Sequence, residues 1–239
     1  MQLPILLEFR MNLKGEVMIK ISNLKVKKGK KEILNIDGLD TENTKYLGIF
    51  GGNGAGKTTL AKCIIGMESF EGEIVKKFQN SNTQVVLQNN GYPFYAKVKD
   101  IIMLVLNVSS LEGEIIEFIR YISFESCLNK EVGILSGGEL QKLNLILVLL
   151  SKPDLLVVDE VTTGLDYETR NKIQIYISQF LKKSECKLII ISHYKEELTS
   201  LTEKVICLKE GSVKRICKPQ EIELEGEKSH VAVEKTNID

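Results

Sequence analysis

Tyr46-Leu-Gly-Ile-Phe50-Gly51-Gly52-Asn53-Gly54-Ala55-Gly56-Lys57-Thr58-Thr59 is the stretch that decides the fold. Tyr46 to Phe50 reads as a buried strand and Lys57 to Ile65 as a helix. The link between them, Gly51 to Thr58, satisfies G-x-x-x-x-G-K-[ST]. Its glycines let the backbone close into a nest of N–H donors, and the following helix aims its positive end at the same point, which is how a polyphosphate is held. Gly51, Gly52, Asn53, Gly54, Ala55 and Gly56 are expected to form the cradle. Lys57 would bridge the β and γ phosphates, and Thr58, with Thr59 beside it, would offer a hydroxyl to Mg²⁺, a hard ion that prefers oxygen ligands.

Further along, Leu155-Leu-Val-Val-Asp159-Glu160 is an apolar strand that ends in two carboxylates. A parallel sheet presents its ligand site beyond the carboxyl ends of its strands, so this pair is expected beside the glycine-rich loop. Asp159 would hold Mg²⁺, and Glu160, one residue further out, would polarise an attacking water as general base. An isolated Asp-Glu pair at a strand end is ordinarily a solvated loop; the nearby phosphate motif is what assigns it a catalytic part.

Around these two segments, β-branched runs alternate with helical patterns. Strands are expected over Ile19 to Val26, Thr83 to Leu87, Leu188 to Ile191 and Val205 to Leu208, and helices over Glu139 to Leu150, Tyr167 to Lys182 and Tyr194 to Leu201. Continuous apolar strands separated by helices predict an α/β fold with a largely parallel core sheet. Residues 97 to 135 break the rhythm, with helical patterns over Asp100 to Asn107 and Glu112 to Ile122, and read as a helical insertion. From Lys218 onward, Glu and Lys dominate and large apolar side chains are few, so a frayed charged tail is expected over 218–239. The start, MQLPILLEF, has no preceding basic region and no A-x-A-like site, so residues 1–17 read as an extension rather than a signal peptide, with Met11 or Met18 as alternative starts.

Composition narrows the functional classes. Lys plus Arg and Asp plus Glu are both 32, so no global field favours nucleic acid or an anionic membrane. The most apolar stretch, Leu143 to Leu150, is far shorter than the roughly 20 residues of a spanning helix. Five widely spaced cysteines lie mostly in apolar segments and read as reduced packing residues, with no metal framework among them.

Leu135-Ser136-Gly137-Gly138-Glu139-Leu140-Gln141-Lys142 resembles the signature sequence of the ATP-binding-cassette (ABC) ATPases. Ser136 followed by Glu139 is also a capping box for the next helix, a reading compatible with the first. The other segments of that family follow in order. Gln88 resembles the Q-loop glutamine, which contacts Mg²⁺ and the lytic water. Gly164-Leu165-Asp166 resembles the D-loop that crosses to a partner, and His193 resembles the switch histidine on the γ-phosphate. The likeness spans about residues 19 to 216. It implies a P-loop NTPase fold with an N-terminal antiparallel β subdomain, a cassette over 18–217 and a helical subdomain over about 89–135.

By the same resemblance, ATP with Mg²⁺ is sandwiched between the phosphate loop of one subunit and Ser136, Gly137, Gly138 and Glu139 of another, in a homodimer or a heterodimer with a related ATP-binding subunit. Glu160, His193, Lys57 and Gln88 would be catalytic, Thr58, Gln88 and Asp159 would be the Mg²⁺ set, and Asp166 would mark the D-loop. The implied partner is a membrane permease, docked through the helical subdomain and the aromatic segment Asn89 to Tyr95, which would hold the chain at the inner face of the cell membrane from the cytoplasm. No nucleic-acid partner is implied, since the chain has neither a long heptad insertion nor a second cassette. Export of a peptide, drug or lipid is preferred over import, because the cassette is short. The alternative is a soluble family member acting on a non-membrane partner, as in iron–sulfur cluster assembly.

Four departures from the family pattern stand out. Lys27 or Lys28 occupies the place of the aromatic that stacks on adenine. Gly52 and Val161 stand where prolines are common, and Lys142 replaces a frequent arginine.

Overall fold

A computed structural model describes residues 19–42, 44–76, 83–86, 92–160 and 165–222. Gln88, Leu87, Asn89, Gly164, residues 1–17 and the tail beyond residue 222 lie outside them.

Six strands form the main sheet: β3 (Tyr46–Gly51), β5 (Thr83–Val86), β6 (Leu155–Asp159), β7 (Lys187–Ile191), β8 (Lys204–Lys209) and β9 (Ser212–Cys217). Their order is β5-β6-β7-β3-β8-β9, parallel throughout except for the β8–β9 hairpin. The apolar runs are continuous because both faces are covered. Leu155, Val157, Ile189 and Ile191 pack into one core, with α1 (Lys57–Ile65) and the N-terminal strands. The alternate residues Leu156, Val158, Leu188 and Ile190 pack into the other, beneath α4 (Gly137–Leu150) and α5 (Tyr167–Lys183).

A second sheet, β2-β1-β4, is fully antiparallel and comprises β1 (Ile19–Lys28), β2 (Lys31–Asp40) and β4 (Glu71–Lys76). β1 alternates buried Ile19, Ile21, Val26 with exposed lysines, the signature of a sheet wet on one face. The insertion is helical as expected, with α2 (Val98–Leu106) and α3 (Glu114–Tyr121) packed on α4. α6 (Lys195–Leu201) follows β7.

Order continues past Lys218, where the sequence had predicted fraying. Pro219–Glu221 form a 3-10 turn, the Glu221 carbonyl accepts from the Arg215 guanidinium at 2.7 Å, and Ile222 is buried in the second core. The buried isoleucine contributes to holding the segment down, and composition averaged over the tail hides it.

Among the described residues, no helix is long and apolar enough to cross a membrane. All five thiols are free, and Cys63, Cys127, Cys186 and Cys217 are buried. Burial pushes the Cys186 thiol up to about 12 and the Cys63 thiol up to about 11.

Candidate active site

Strand order assembles the site. β6, β7 and β3 are adjacent, and their register sets Asp159 level with Ile191 and Ile191 level with Ile49. The next residues along each strand are therefore neighbours at the carboxyl end of the sheet: Glu160 after β6, Ser192 and His193 after β7, and Gly52 to Gly56 after β3.

The loop after β3 has its glycines for identifiable reasons. A Cβ on Gly51 would lie 2.3 Å from the Leu208 carbonyl oxygen, so the backbone approaches β8 too closely for any side chain. Gly56 sits at φ 97° as the N-cap of α1, a conformation that disfavours other residues. A Cβ on Gly52 would meet open space, so nothing in the structure explains why glycine rather than the common proline stands there. No side chain caps α1, and its first-turn N–H groups point into the loop.

Lys57 is buried, and its ammonium donates to the carbonyls of Gly51 at 2.9 Å and Gly52 at 3.2 Å while lying 3.3 Å from Glu160 Oε1. The same Glu160 oxygen is 3.5 Å from His193 Nδ1. Glu160 holds φ 51°, an uncommon backbone for a residue other than glycine, and its N–H donates to the Ile191 carbonyl at 3.0 Å. The turn that aims Glu160 at Lys57 is thus fixed from β7.

Thr58 Oγ1 donates to Asp159 Oδ2 at 2.7 Å. Burial pushes the Asp159 carboxyl above its ordinary range, opposed by that hydroxyl. A buried carboxylate and a hydroxyl side by side form a hard oxygen pair that fits Mg²⁺, with the remaining positions left to phosphate and water. Outside the loop, a cleft of about 470 Å³ runs between Gly51–Ala55, His193 and the β8–β9 hairpin, which lines it with Lys209, Lys214 and Arg215 against the single acid Glu210.

The signature segment behaves as a helix start. Ser136 Oγ accepts the Glu139 N–H at 3.3 Å, and Glu139 Oε2 accepts the Ser136 N–H at 2.8 Å, completing the capping box of α4. Lys130 Nζ at 2.7 Å is the largest influence that holds the Glu139 carboxyl down to about 2, with the Ser136 N–H and the Cys127 thiol assisting. Lys142 donates to the Ile122 carbonyl at 3.0 Å and so ties α4 to the end of α3. Asp166 caps α5 by accepting the Thr169 N–H at 2.9 Å, and that bond lowers its pKa. Among the described residues, no hydrogen bond or ion pair joins Ser136 to Glu139 with the phosphate loop.

At the other expected end of the nucleotide, Lys28 pairs with Glu68 at 3.2 Å, and Tyr46 is packed, its hydroxyl donating to the Leu181 carbonyl at 3.0 Å.

Residues 34–163, more than half the chain, match the family model described as ABC transporter. The chain belongs to the ABC transporter family. It is 31% identical over 214 residues to the tungstate uptake system ATP-binding protein of Peptoclostridium acidaminophilum, covering 82% of this chain and 97% of that protein. It is 33% identical over 194 residues to the zinc import ATP-binding protein of Wigglesworthia glossinidia brevipalpis, covering 81% and 83%. Among solved structures, an ATP-binding subunit of an ABC transporter aligns with a TM-score of 0.69 at 18% identity over 84% of this chain and 90% of that one, a likeness of fold.

As an ABC ATP-binding subunit the chain is an ATPase whose hydrolysis is coupled to transport. The preference for export finds no support among these relatives, both named for uptake or import. It rested on cassette length, and the tungstate uptake protein, matched over nearly its whole length, is an uptake protein of comparable extent.

Tyr92, which the sequence placed in the aromatic docking segment, is instead partly buried against the core. Tyr92 donates to Asn144 Oδ1 at 2.6 Å, linking the segment before α2 to the middle of the signature helix. Asn144 alone is polar in Leu143 to Leu150, and that interruption was the available signal.

Proposed function

We propose that this chain is the ATP-hydrolysing subunit of an importer, working as a dimer on a separate membrane permease. The convergence of Lys57, at the start of α1, with Glu160 and His193, which follow the neighbouring strands β6 and β7, carries the reading. ATP would enter with its phosphates on the N–H groups of Gly51 to Gly56 and the start of α1. Lys57 would exchange its two loop carbonyls for the β and γ phosphates. Glu160, released from Lys57 by the same exchange, would orient and polarise the attacking water, and His193 would donate to the γ-phosphate as charge builds there. Thr58 and Asp159 would hold Mg²⁺, which neutralises charge on the phosphate oxygens. Gln88 is proposed to complete that set and contact the water.

The second half of the site would come from another subunit through Ser136, Gly137, Gly138 and the N-terminus of α4. In the cap, the Ser136 hydroxyl acts as an acceptor, which leaves its O–H free to donate to a phosphate. Asp166 would lie at the subunit boundary. ATP would favour the closed dimer and hydrolysis would reopen it. Import is supported by the names of the tungstate and zinc relatives. Docking of a permease is supported by exposed Phe94, Tyr95, Leu104 and Ile134 on the helical insertion, and it would hold the chain against the cytoplasmic face of the membrane.

Glu160→Gln tests the reading. Hydrolysis is expected to collapse while ATP-dependent dimerisation persists; unchanged turnover would remove Glu160 from the mechanism. Co-purification with a soluble scaffold instead of a membrane protein would favour action on a non-membrane partner.

A further inference from the structure

His193 stands in a short exit from β7, between Ser192 and Tyr194, and something must stop that exit from swinging. Ser192 and Glu197 are each 2% exposed. The Ser192 hydroxyl donates to Glu197 Oε2 at 2.5 Å and accepts the Tyr194 N–H at 3.0 Å. The hydroxyl therefore bonds across His193, from the residue before it to the amide after it, with Glu197 fixing its direction. Glu197 is in turn held from α5, where Gln174 Nε2 donates to its other oxygen at 3.4 Å. A second tie runs parallel to the first. The Arg170 guanidinium lies 4.1 Å over the Tyr194 ring, that ring is 4.4 Å from the imidazole, and Arg170 Nη2 donates to the Leu165 carbonyl at 3.3 Å.

A buried carboxylate is unfavourable unless its hydrogen bonds are met, and an apolar side chain would fill this space between α5 and α6 more cheaply. Its place is explained by what it bonds. We infer that Glu197 is a positioning residue for hydrolysis: through Ser192 it sets the backbone that aims His193, and through Gln174 it ties that aim to α5, the helix that Asp166 caps. This rests on the proposed role of His193 at the γ-phosphate. Because the link acts on a group engaged when charge develops, its loss lowers kcat and leaves ATP binding nearly as it was.

The test uses the full chain with Glu197→Ala, Ser192→Ala and His193→Ala, singly and in pairs, measuring steady-state hydrolysis and thermal unfolding. Glu197→Ala and Ser192→Ala are each expected to lower kcat about tenfold with KM for ATP within about twofold of the parent. In the His193→Ala background neither is expected to lower kcat further, since the group they aim is gone. If Glu197→Ala does not fold, Ser192→Ala carries the same test with a smaller change. The inference is overturned if Ser192→Ala leaves kcat unchanged, or if the loss is the same with and without His193. Undiminished hydrolysis in His193→Ala itself would overturn the reading of the histidine, and this inference with it.

Discussion

The phosphate loop and the signature segment are both glycine-rich starts of helices, yet they are finished differently. α1 begins at a left-handed Gly56 with no side-chain cap, and Lys57, Glu160 and His193 crowd the space in front of it. α4 begins with a complete capping box, and Lys130 and Cys127 support its Glu139 from behind. The first is open, with no cap of its own, and its Lys57 meets residues that follow two neighbouring strands; the second is satisfied by its own turn. The start of α1 thus leaves its first N–H groups without a side-chain cap, beside the residues proposed to act on a bound phosphate. The capped end is complete without a ligand, and the proposed phosphate from another subunit would meet only the Ser136 O–H and the first N–H groups of α4.

Lys57→Ala should break the open half most completely. With the ammonium gone, hydrolysis is expected to fall by about a hundredfold or more, measured as phosphate release at saturating ATP. Gly51→Ala should act on the same half through the fold. Its Cβ would meet the Leu208 carbonyl oxygen at 2.3 Å, and overpacking against backbone is expected to destabilise by about 2–3 kcal/mol, a fall in Tm of roughly 4–12 °C.

Lys130→Met sharpens the capped half, with the smallest effect. Glu139 is held down to about 2 from an ordinary 4.5, so its stabilisation is fully present above pH 4.5 and is lost as the pH falls towards 2. Without Lys130, the strongest influence on that carboxyl, the variant should lose less stability over this window than the parent does. Urea unfolding across the pH range reads the difference.

The two halves also differed in how far the sequence revealed them. The open half was legible because buried parallel strands write continuous apolar runs, and α1 occupies the predicted Lys57–Ile65. The capped half was legible as a motif, and its double nature as cap and signature is present in Ser136 and Glu139. Reading the residues strand by strand did not find β2, β4 or β9. Each is an antiparallel strand with one wet face, so charges in Glu71-Gly-Glu-Ile-Val-Lys76 interrupt the pattern that marks a buried strand. The positive φ of Glu160 and its contact with Lys57 depend on the register of β6 against β7, which local sequence does not carry. Glu197 was hidden for another reason: a glutamate in the first turn of a short helix ordinarily faces water.

Hydrolysis is proposed to need both halves, contributed by different subunits. The direct measurement is sedimentation of Glu160→Gln, with and without Ser136→Arg, at saturating ATP and with ATP binding followed in parallel. Glu160→Gln should sediment as a dimer only with ATP, and adding Ser136→Arg should return it to monomer while ATP still binds. A dimer that survives Ser136→Arg, or that forms equally without ATP, would contradict the claim.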